Sequence, residues 1–515
     1  MSSTPGARVR LPALPVLLAG LLALVGCAPA PMLQPPEVTD QGAAAPAQEP
    51  PPDLQQFYTQ HLDWTDCGPR HECTDMTVPM DYADPTGPTV QIAIKVARAT
   101  GESRGALVTN PGGPGGSGLE HVEAVDTLFS APVLESFDVV GFDPRGVGES
   151  DAVRCLDSEE LEEYYATLID PYTDAGWQRL VEEEAAYGEA CLERTGPLLG
   201  FVDTVSTARD MDVLRALLGE QTLTYLGYSY GTYLGAVYAE LFPGHVGRFV
   251  LDSAMDPSLN YTEVVRGQVA GFDTAYRSYL ADCLAGPGCP FEGEVEEAMQ
   301  DTQDLLTTVA SDPVETDDPD RPLTDADVFN AIVISLYSVD TWPVLTEALS
   351  RLIHQDDTSL VRAMSDLAME RDEDGNFPPD EGAFQAINCL DYPVGEPNQQ
   401  QSIEESEHLQ DLSELFGSYM GFGEPGCGTW PVEATNTRTA ITATGAPPML
   451  VIGITRDPAT PHEWAQSLAE QLDAGVLLTY DGDGHGAYGT GNSCVHAAVD
   501  GFLLDGQMPE DGTEC

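Results

Sequence analysis

One short run constrains the chain more than any other. Gly227-Tyr228-Ser229-Tyr230-Gly231 is its only GxSxG, between the apolar stretch Thr222–Leu226 and a stretch with the small residues Gly235 and Ala236. This pattern predicts a strand, a sharp strained turn and a helix, with the serine hydroxyl exposed and the helix N-terminus aimed at it. The glycines relieve steric clashes around the turn.

Periodicity extends this unit in both directions. Met76 to Met80, Val90 to Ala97, Ala106 to Thr109, Phe137 to Asp143 and Arg248 to Asp252 read as strands. Helices are expected over 119–129, 156–192, 205–218 and 231–242. Such alternation predicts a mostly parallel α/β sheet flanked by helices. It stops near residue 257. Amphipathic helical stretches such as 262–282 and 342–354 fill 258–440. The α/β pattern then resumes with strand 449–454, helix 461–473, strand 475–480 and helix 493–504. A mainly helical segment therefore interrupts one α/β domain, which comprises 56–257 and 441–515.

An exposed serine needs a base, and the base an orienting carboxylate. In this topology the chain order is serine, acid, histidine. Of nine histidines only His462, His485 and His496 follow the resumed first strand. His462 and His496 fall in expected helices, as packing or surface residues. His485 lies in Asp481-Gly-Asp-Gly-His-Gly-Ala-Tyr-Gly, a flexible loop directly after a strand. Asp457 ends the preceding strand in Arg456-Asp-Pro-Ala-Thr-Pro, where an orienting acid belongs. Asp481 and Asp483 compete, but lie too close in sequence to His485. Thr460 is read as a cap of the next helix. An oxyanion requires two backbone N–H groups. Tyr230 supplies one, and the loop Asn110-Pro-Gly-Gly-Pro-Gly-Gly-Ser-Gly118 the other, from Gly113 or alternatively Gly112. Gly113 to Gly118 also matches GxGxxG, and the next strand ends in Asp143, which mimics a dinucleotide fingerprint. The prolines in the turn and the hydrolytic motifs elsewhere argue against that reading.

The N-terminus reads as an export signal over 1–26. Arg8 and Arg10 precede an apolar run, Leu11 to Val25, too short for a comfortable membrane span. Leu24-Val25-Gly26-Cys27 resembles a bacterial lipoprotein cleavage site, with Cys27 lipidated; an ordinary secretory signal is the alternative. The Pro/Ala-rich stretch 27–55 suits a tether. The other ten cysteines are expected in disulfides. Short loops favour Cys67–Cys73, Cys155–Cys191, Cys283–Cys289, Cys389–Cys427 and Cys494–Cys515. No metal or cofactor is expected. The net charge is −64, with Lys95 the only lysine, so nucleic acid is excluded as a partner. Composition does not choose between a heavily solvated exported surface and adaptation to high salt. Oligomeric state is not readable.

Together the Asn110–Gly118 loop, Phe137-Asp-Val-Val-Gly-Phe-Asp-Pro-Arg-Gly-Val-Gly148, GYSYG, RDPATP and GDGHG resemble the α/β-hydrolase peptidases of the proline-iminopeptidase-like group. Within it they are most similar to secreted bacterial tripeptidyl aminopeptidases. Iminopeptidases commonly carry His-Gly-Gly-Pro-Gly at the oxyanion loop; Pro111 stands in place of that histidine, which favours the tripeptidyl branch. The resemblance implies an α/β-hydrolase fold with the inserted helices as a lid. It also implies release of short peptides, tripeptides in particular, from free N-termini by a Ser229–His485–Asp457 triad through an acyl-enzyme. Asp391, in Ala386-Ile-Asn-Cys-Leu-Asp391, is the expected anchor for the substrate ammonium. The alternatives are an esterase or lipase with the same triad, and a catalytically inactive surface-binding lipoprotein.

Overall fold

The computed structural model describes residues 50–515, apart from 317, 320, 373 and 379–381. The export signal, Cys27 and all but the last residues of the tether lie outside the described residues. No helix among the described residues is long and apolar enough to cross a membrane.

Ten strands form one sheet: β1 (Thr65–Gly68), β2 (His71–Pro79), β3 (Thr89–Ala97), β4 (Ala106–Asn110), β5 (Asp138–Phe142), β6 (Leu223–Tyr228), β7 (Val246–Asp252), β8 (Met449–Arg456), β9 (Gly475–Asp483) and β10 (Thr513–Glu514). Their spatial order is β1-β2-β3-β5-β4-β6-β7-β8-β9-β10. β1 to β3 are antiparallel, and β3 pairs antiparallel with β5. From β5 to β10 every pairing is parallel. Helices cover both faces, so the central strands are buried on both and read as continuous apolar runs. All five residues of β4 are buried, as are Met449 to Ile454 of β8.

The chain leaves β4 towards β5 and leaves β6 towards β7, in opposite directions. The gap between the carboxyl ends of β4 and β6 is therefore a topological switch point, where ligands bind in open α/β sheets. Asn110 and Tyr228 end those two strands.

Two strands, β1 and β10, have no counterpart in the sequence-based expectation. Both are short and lack apolar alternation. Disulfides lie at both: Cys67–Cys73 joins β1 to β2, and Cys494–Cys515 ties the C-terminus to helix Ser493–Asp505. The three other bridges are Cys155–Cys191, Cys283–Cys289 and Cys389–Cys427, so all five expected pairs are formed.

Between β7 and β8 the regular structure of the described residues is helical, in separate helices from Tyr261 to Gly428 joined by loops, apart from an isolated bridge, Val314 to Leu323. This insertion is not one packing unit. Phe272, Tyr276, Leu345 and Phe416 belong to a core of its own. Ala386, Ile387, Leu390 and Trp430 instead join the core of the sheet. The return segment around helix Ala383–Asp391 is thus part of the α/β body, although it falls within the expected 258–440 boundaries. Its apolar residues join the core of the sheet rather than that of the other inserted helices, which no local pattern reveals.

Candidate active site

Ser229 has φ 56° and ψ −124°, a conformation that costs a non-glycine residue energy. The surroundings hold it there. Its N–H donates to the Asp252 carbonyl oxygen at 3.0 Å, and its own carbonyl accepts from Thr232. The flanking glycines are required by contact. A Cβ on Gly227 would sit 2.5 Å from the Gly231 oxygen, and one on Gly231 2.8 Å from Asn110 Oδ1. Helix Tyr230–Leu241 starts directly after the serine.

The loop after β4 leans on this turn. A Cβ on Gly112 would lie 2.9 Å from Ser229 Cβ and 2.6 Å from the Tyr228 oxygen. Gly112 N–H donates to Asn110 Oδ1 at 3.0 Å, so this amide is committed. Gly113 remains the candidate of the two, beside Tyr230. Asp143 does not await a ribose. It is buried and accepts from Ser117 Oγ, Leu119 N–H and Glu149 N–H, tying the glycine loop to the motif that follows β5.

His485 follows β9. Its Nδ1 lies 2.8 and 3.0 Å from the two oxygens of Asp457, which directly follows β8 and is buried. Asp457 Oδ1 also accepts from Ala459 and Thr460 N–H. The competing acids are engaged elsewhere: Asp481 and Asp483 both pair with Arg456. Burial opposes charge on the His485 ring, but Asp457 outweighs it, so the imidazole pKa stands above its ordinary value. His462 bonds Thr479 through Nε2, and His496 packs on the Tyr488 ring; neither approaches the serine turn by any described contact. Thr460 does not cap the next helix, whose N-cap is Pro461. Its hydroxyl lies 3.4 Å from His485 Nδ1 instead.

Asp391 corrects an expectation. It is 1% exposed, and its oxygens accept from the Thr204 N–H, the Thr204 hydroxyl and the Asn436 amide. Thr204 Oγ1 in turn bonds the Tyr230 hydroxyl. The carboxylate is sealed within the protein beside the start of the elbow helix. It is not presented to a substrate ammonium, and burial pushes its pKa up to about 6.

Sequence reasoning overlooked the group that holds the histidine loop. Asp252, at the end of β7, accepts from Ala487 N–H and Tyr488 N–H at 2.9 and 2.7 Å, one on each oxygen. Ser253 Oγ accepts from Gly486 N–H at 2.8 Å. The three amides after His485 are thus clamped to the strand next to the serine. Asp252 ends an apolar strand and Asp457 directly follows one, so the same signal was present. Tyr337, from the insertion, also touches this loop. Its carbonyl accepts the His485 N–H, and its ring meets the imidazole edge-on at 5.2 Å.

Strand order, switch point and strained serine turn are those of the α/β-hydrolase class. Over 477 residues the chain is 35% identical to serine protease Hip1 of Mycobacterium tuberculosis, covering 88% of this chain and 91% of that protein. It is 36% identical to carboxylesterase B of the same species over 449 residues, 86% of each. It is 33% identical to tripeptidyl aminopeptidase of Streptomyces lividans over 479 residues, 88% of this chain and 86% of that one. A family model described as TAP-like protein matches residues 413–515. The chain belongs to this TAP-like family of α/β-hydrolases. Among solved structures, proline iminopeptidase of Mycobacterium smegmatis is 13% identical with a TM-score of 0.37, covering 83% of this chain and 97% of that one; the fold assignment rests on the strand order rather than on this likeness.

Proposed function

We propose that this serine peptidase of the TAP-like family releases short peptides, of about tripeptide length, from free N-termini through an acyl-enzyme on Ser229. The observation that carries the reading is the His485–Asp457 pair, which follows strands β9 and β8 of the parallel sheet in which β6 leads to the strained Ser229. The relatives named serine protease and tripeptidyl aminopeptidase support the substrate class.

The residues act in sequence. Asp457 holds the His485 Nδ1–H, which leaves Nε2 as the base. Nε2 takes the proton from Ser229 Oγ as it attacks the scissile carbonyl. The Tyr230 and Gly113 N–H groups receive the oxyanion. His485 then protonates the leaving amine, and water cleaves the ester by the same base. The inserted helices act as a lid, with Tyr337 resting on His485, while Ala383 and Phe384 of the return segment approach Gly115 of the oxyanion loop from the α/β body.

A second reading, an esterase, is favoured by the relative named carboxylesterase B. The two separate on the substrate amine. A tripeptide amide with a free N-terminus should be cleaved at least about 100-fold faster, in kcat/KM, than its N-acetylated form, because a site that pairs a charged group discriminates strongly against its absence. Equal rates would retire the aminopeptidase in favour of a peptidase indifferent to the N-terminus, and turnover of simple esters with neither amide cleaved would leave the esterase.

Export and anchoring belong to the same reading. The five disulfides suit an oxidising compartment, and Cys27 stands at the end of the apolar run. Cys27→Ala should release the protein from membranes, or block its processing, while the kcat of the folded enzyme is unchanged. Equal membrane retention of that variant in cell fractionation would exclude lipidation at Cys27.

A further inference from the structure

A cavity of about 400 Å³ opens beside His485. Pro111, His121, Leu128, Tyr228, Tyr337 and Tyr488 give it an apolar and aromatic side, and Asp483, which pairs with Arg456, is among its polar lining. These side chains come from five parts of the chain: the oxyanion loop, the two short helices after it, the strand that leads to Ser229, the insertion and the histidine loop. The aromatic rings brace one another. His121 lies edge-on to Tyr228 at 5.6 Å and to Phe129 at 6.3 Å. Its Nε2 is buried with no hydrogen-bond partner among the described residues. Burial pulls its pKa down to about 4, so at neutral pH it is an uncharged ring. Asp340, an exposed residue of the insertion, adds a carboxylate to the lining.

The chemistry decides which part of a substrate this cavity faces. The leaving amine must take its proton from His485, so it departs on the imidazole side. The cavity contains His485 and Gly486. The other flank of the oxyanion loop, at Gly115, is covered by Ala383 and Phe384. We propose that the cavity is the subsite for the residue that follows the scissile bond, and that it selects peptides with a large apolar or aromatic residue there. An acidic residue is disfavoured, because Asp340 lies in the lining and the protein carries a net charge of −64. The volume lies in the range of small-ligand pockets, about 300–1,000 Å³, and aromatic and aliphatic side chains such as those of its ring-lined side are what such pockets use to hold an apolar group.

The proposal rests on the acyl-enzyme reading above, but its test does not need the enzyme to cleave peptides. Loading with an aryl ester forms the same acyl-enzyme. An added amine then attacks the ester carbonyl. The C–N bond forms, the C–Oγ bond to Ser229 breaks, and the amine proton passes to His485 and on to Ser229 Oγ. By microscopic reversibility this amine sits where a leaving amine would sit. The partition of the acyl group between water and amine therefore reads the subsite directly. Phenylalaninamide is expected to capture about tenfold more acyl group than glycinamide at equal concentration, the scale for filling an apolar pocket, and the α-amide of aspartate least of all. Leu128→Trp, which fills the cavity, should bring phenylalaninamide and glycinamide to within about twofold. Equal capture of these two by the wild-type enzyme would overturn the proposal, whatever the variant does. A wild-type preference that survives both Leu128→Trp and His121→Trp would overturn its assignment to this cavity. If esters acylate the enzyme and the preference appears while no peptide is cleaved, the subsite stands and the peptidase reading falls.

Discussion

Ser229→Ala is expected to lower turnover by about four to six orders of magnitude while the fold persists, and His485→Ala by a similar factor. Asp457→Asn should cost somewhat less, and the double variants no more than the worst single one, because the three groups act as one unit. The fold should survive because Ser229 is a strained residue whose side chain is not needed to close the turn; the bracing comes from its backbone bonds to Asp252 and Thr232. Circular dichroism and the thermal midpoint check that half of the prediction. Residual activity above about 1% in Ser229→Ala would place the nucleophile elsewhere. The pH profile is an independent check on His485. The base works only when neutral, so kcat/KM for an uncharged ester must rise with pH through the His485 pKa. Asp457 holds that pKa above the ordinary imidazole value against the effect of burial. The acid limb should accordingly lie on the alkaline side of an ordinary histidine, and a limb on the acid side would contradict the pairing.

The second large effect is expected far from the chemistry. Arg145 and Asp210 are each fully buried. The guanidinium Nε and Nη2 meet both carboxylate oxygens at 2.7 Å. Its other N–H groups donate to the carbonyls of Pro79, Met80 and Phe201, and the Tyr82 hydroxyl donates to Asp210. Burial pushes the Asp210 pKa up, against the pull of Arg145. Every polar atom of the pair is thus occupied within the protein. Removing one partner leaves a charge in a medium that cannot solvate it. Arg145→Met should therefore cost about 3–5 kcal/mol, a large part of the ~5–15 kcal/mol by which domains are stable. Adding Asp210→Leu to it should recover part of the loss, since the orphaned charge is then gone. Urea midpoints with the disulfides intact would measure both. A shift below about 1 kcal/mol in Arg145→Met would mean that the pair is not load-sharing between β2 and helix Thr204–Leu217.

Arg145 also shows where sequence reading reached its limit. It belongs to the Asp143-Pro-Arg-Gly motif, which supported a family resemblance but no role. Local chemistry was legible. The elbow strand and helix, the acid strand, the histidine loop and the five disulfide pairs follow from apolar runs, turn residues and short cysteine loops, all of which act within a few dozen residues. Asp457 and His485 could be paired because chain order along the sheet limits the choice. Contacts set by distant segments were not legible. Asp391 ends an apolar run beside a cysteine and reads as a poised acid, yet its partner is Thr204, 187 residues away. Nothing near Asp391 in sequence could turn it inward. Asp252 failed in the opposite way: its strand was recognised, but the three amides it and Ser253 restrain lie more than 230 residues downstream. The divided packing of the insertion was hidden for the same reason, since a helix declares its apolar face but not which core receives it.

That divided packing has a bearing on how the gene can be cut. A deletion spanning 258–440 would remove Ala386, Ile387, Leu390 and Trp430 from beneath the sheet, along with the Cys389–Cys427 bridge. Truncated this way, the protein would lose side chains of its main core as well as the separate core of the inserted helices. A graft that exchanges substrate range between relatives must instead leave the return segment in place and swap the stretches on either side of it, Tyr261–Ala368 and Gln399–Met420. The replaceable cover is thus two cassettes rather than one, and the span between them is inherited with the body.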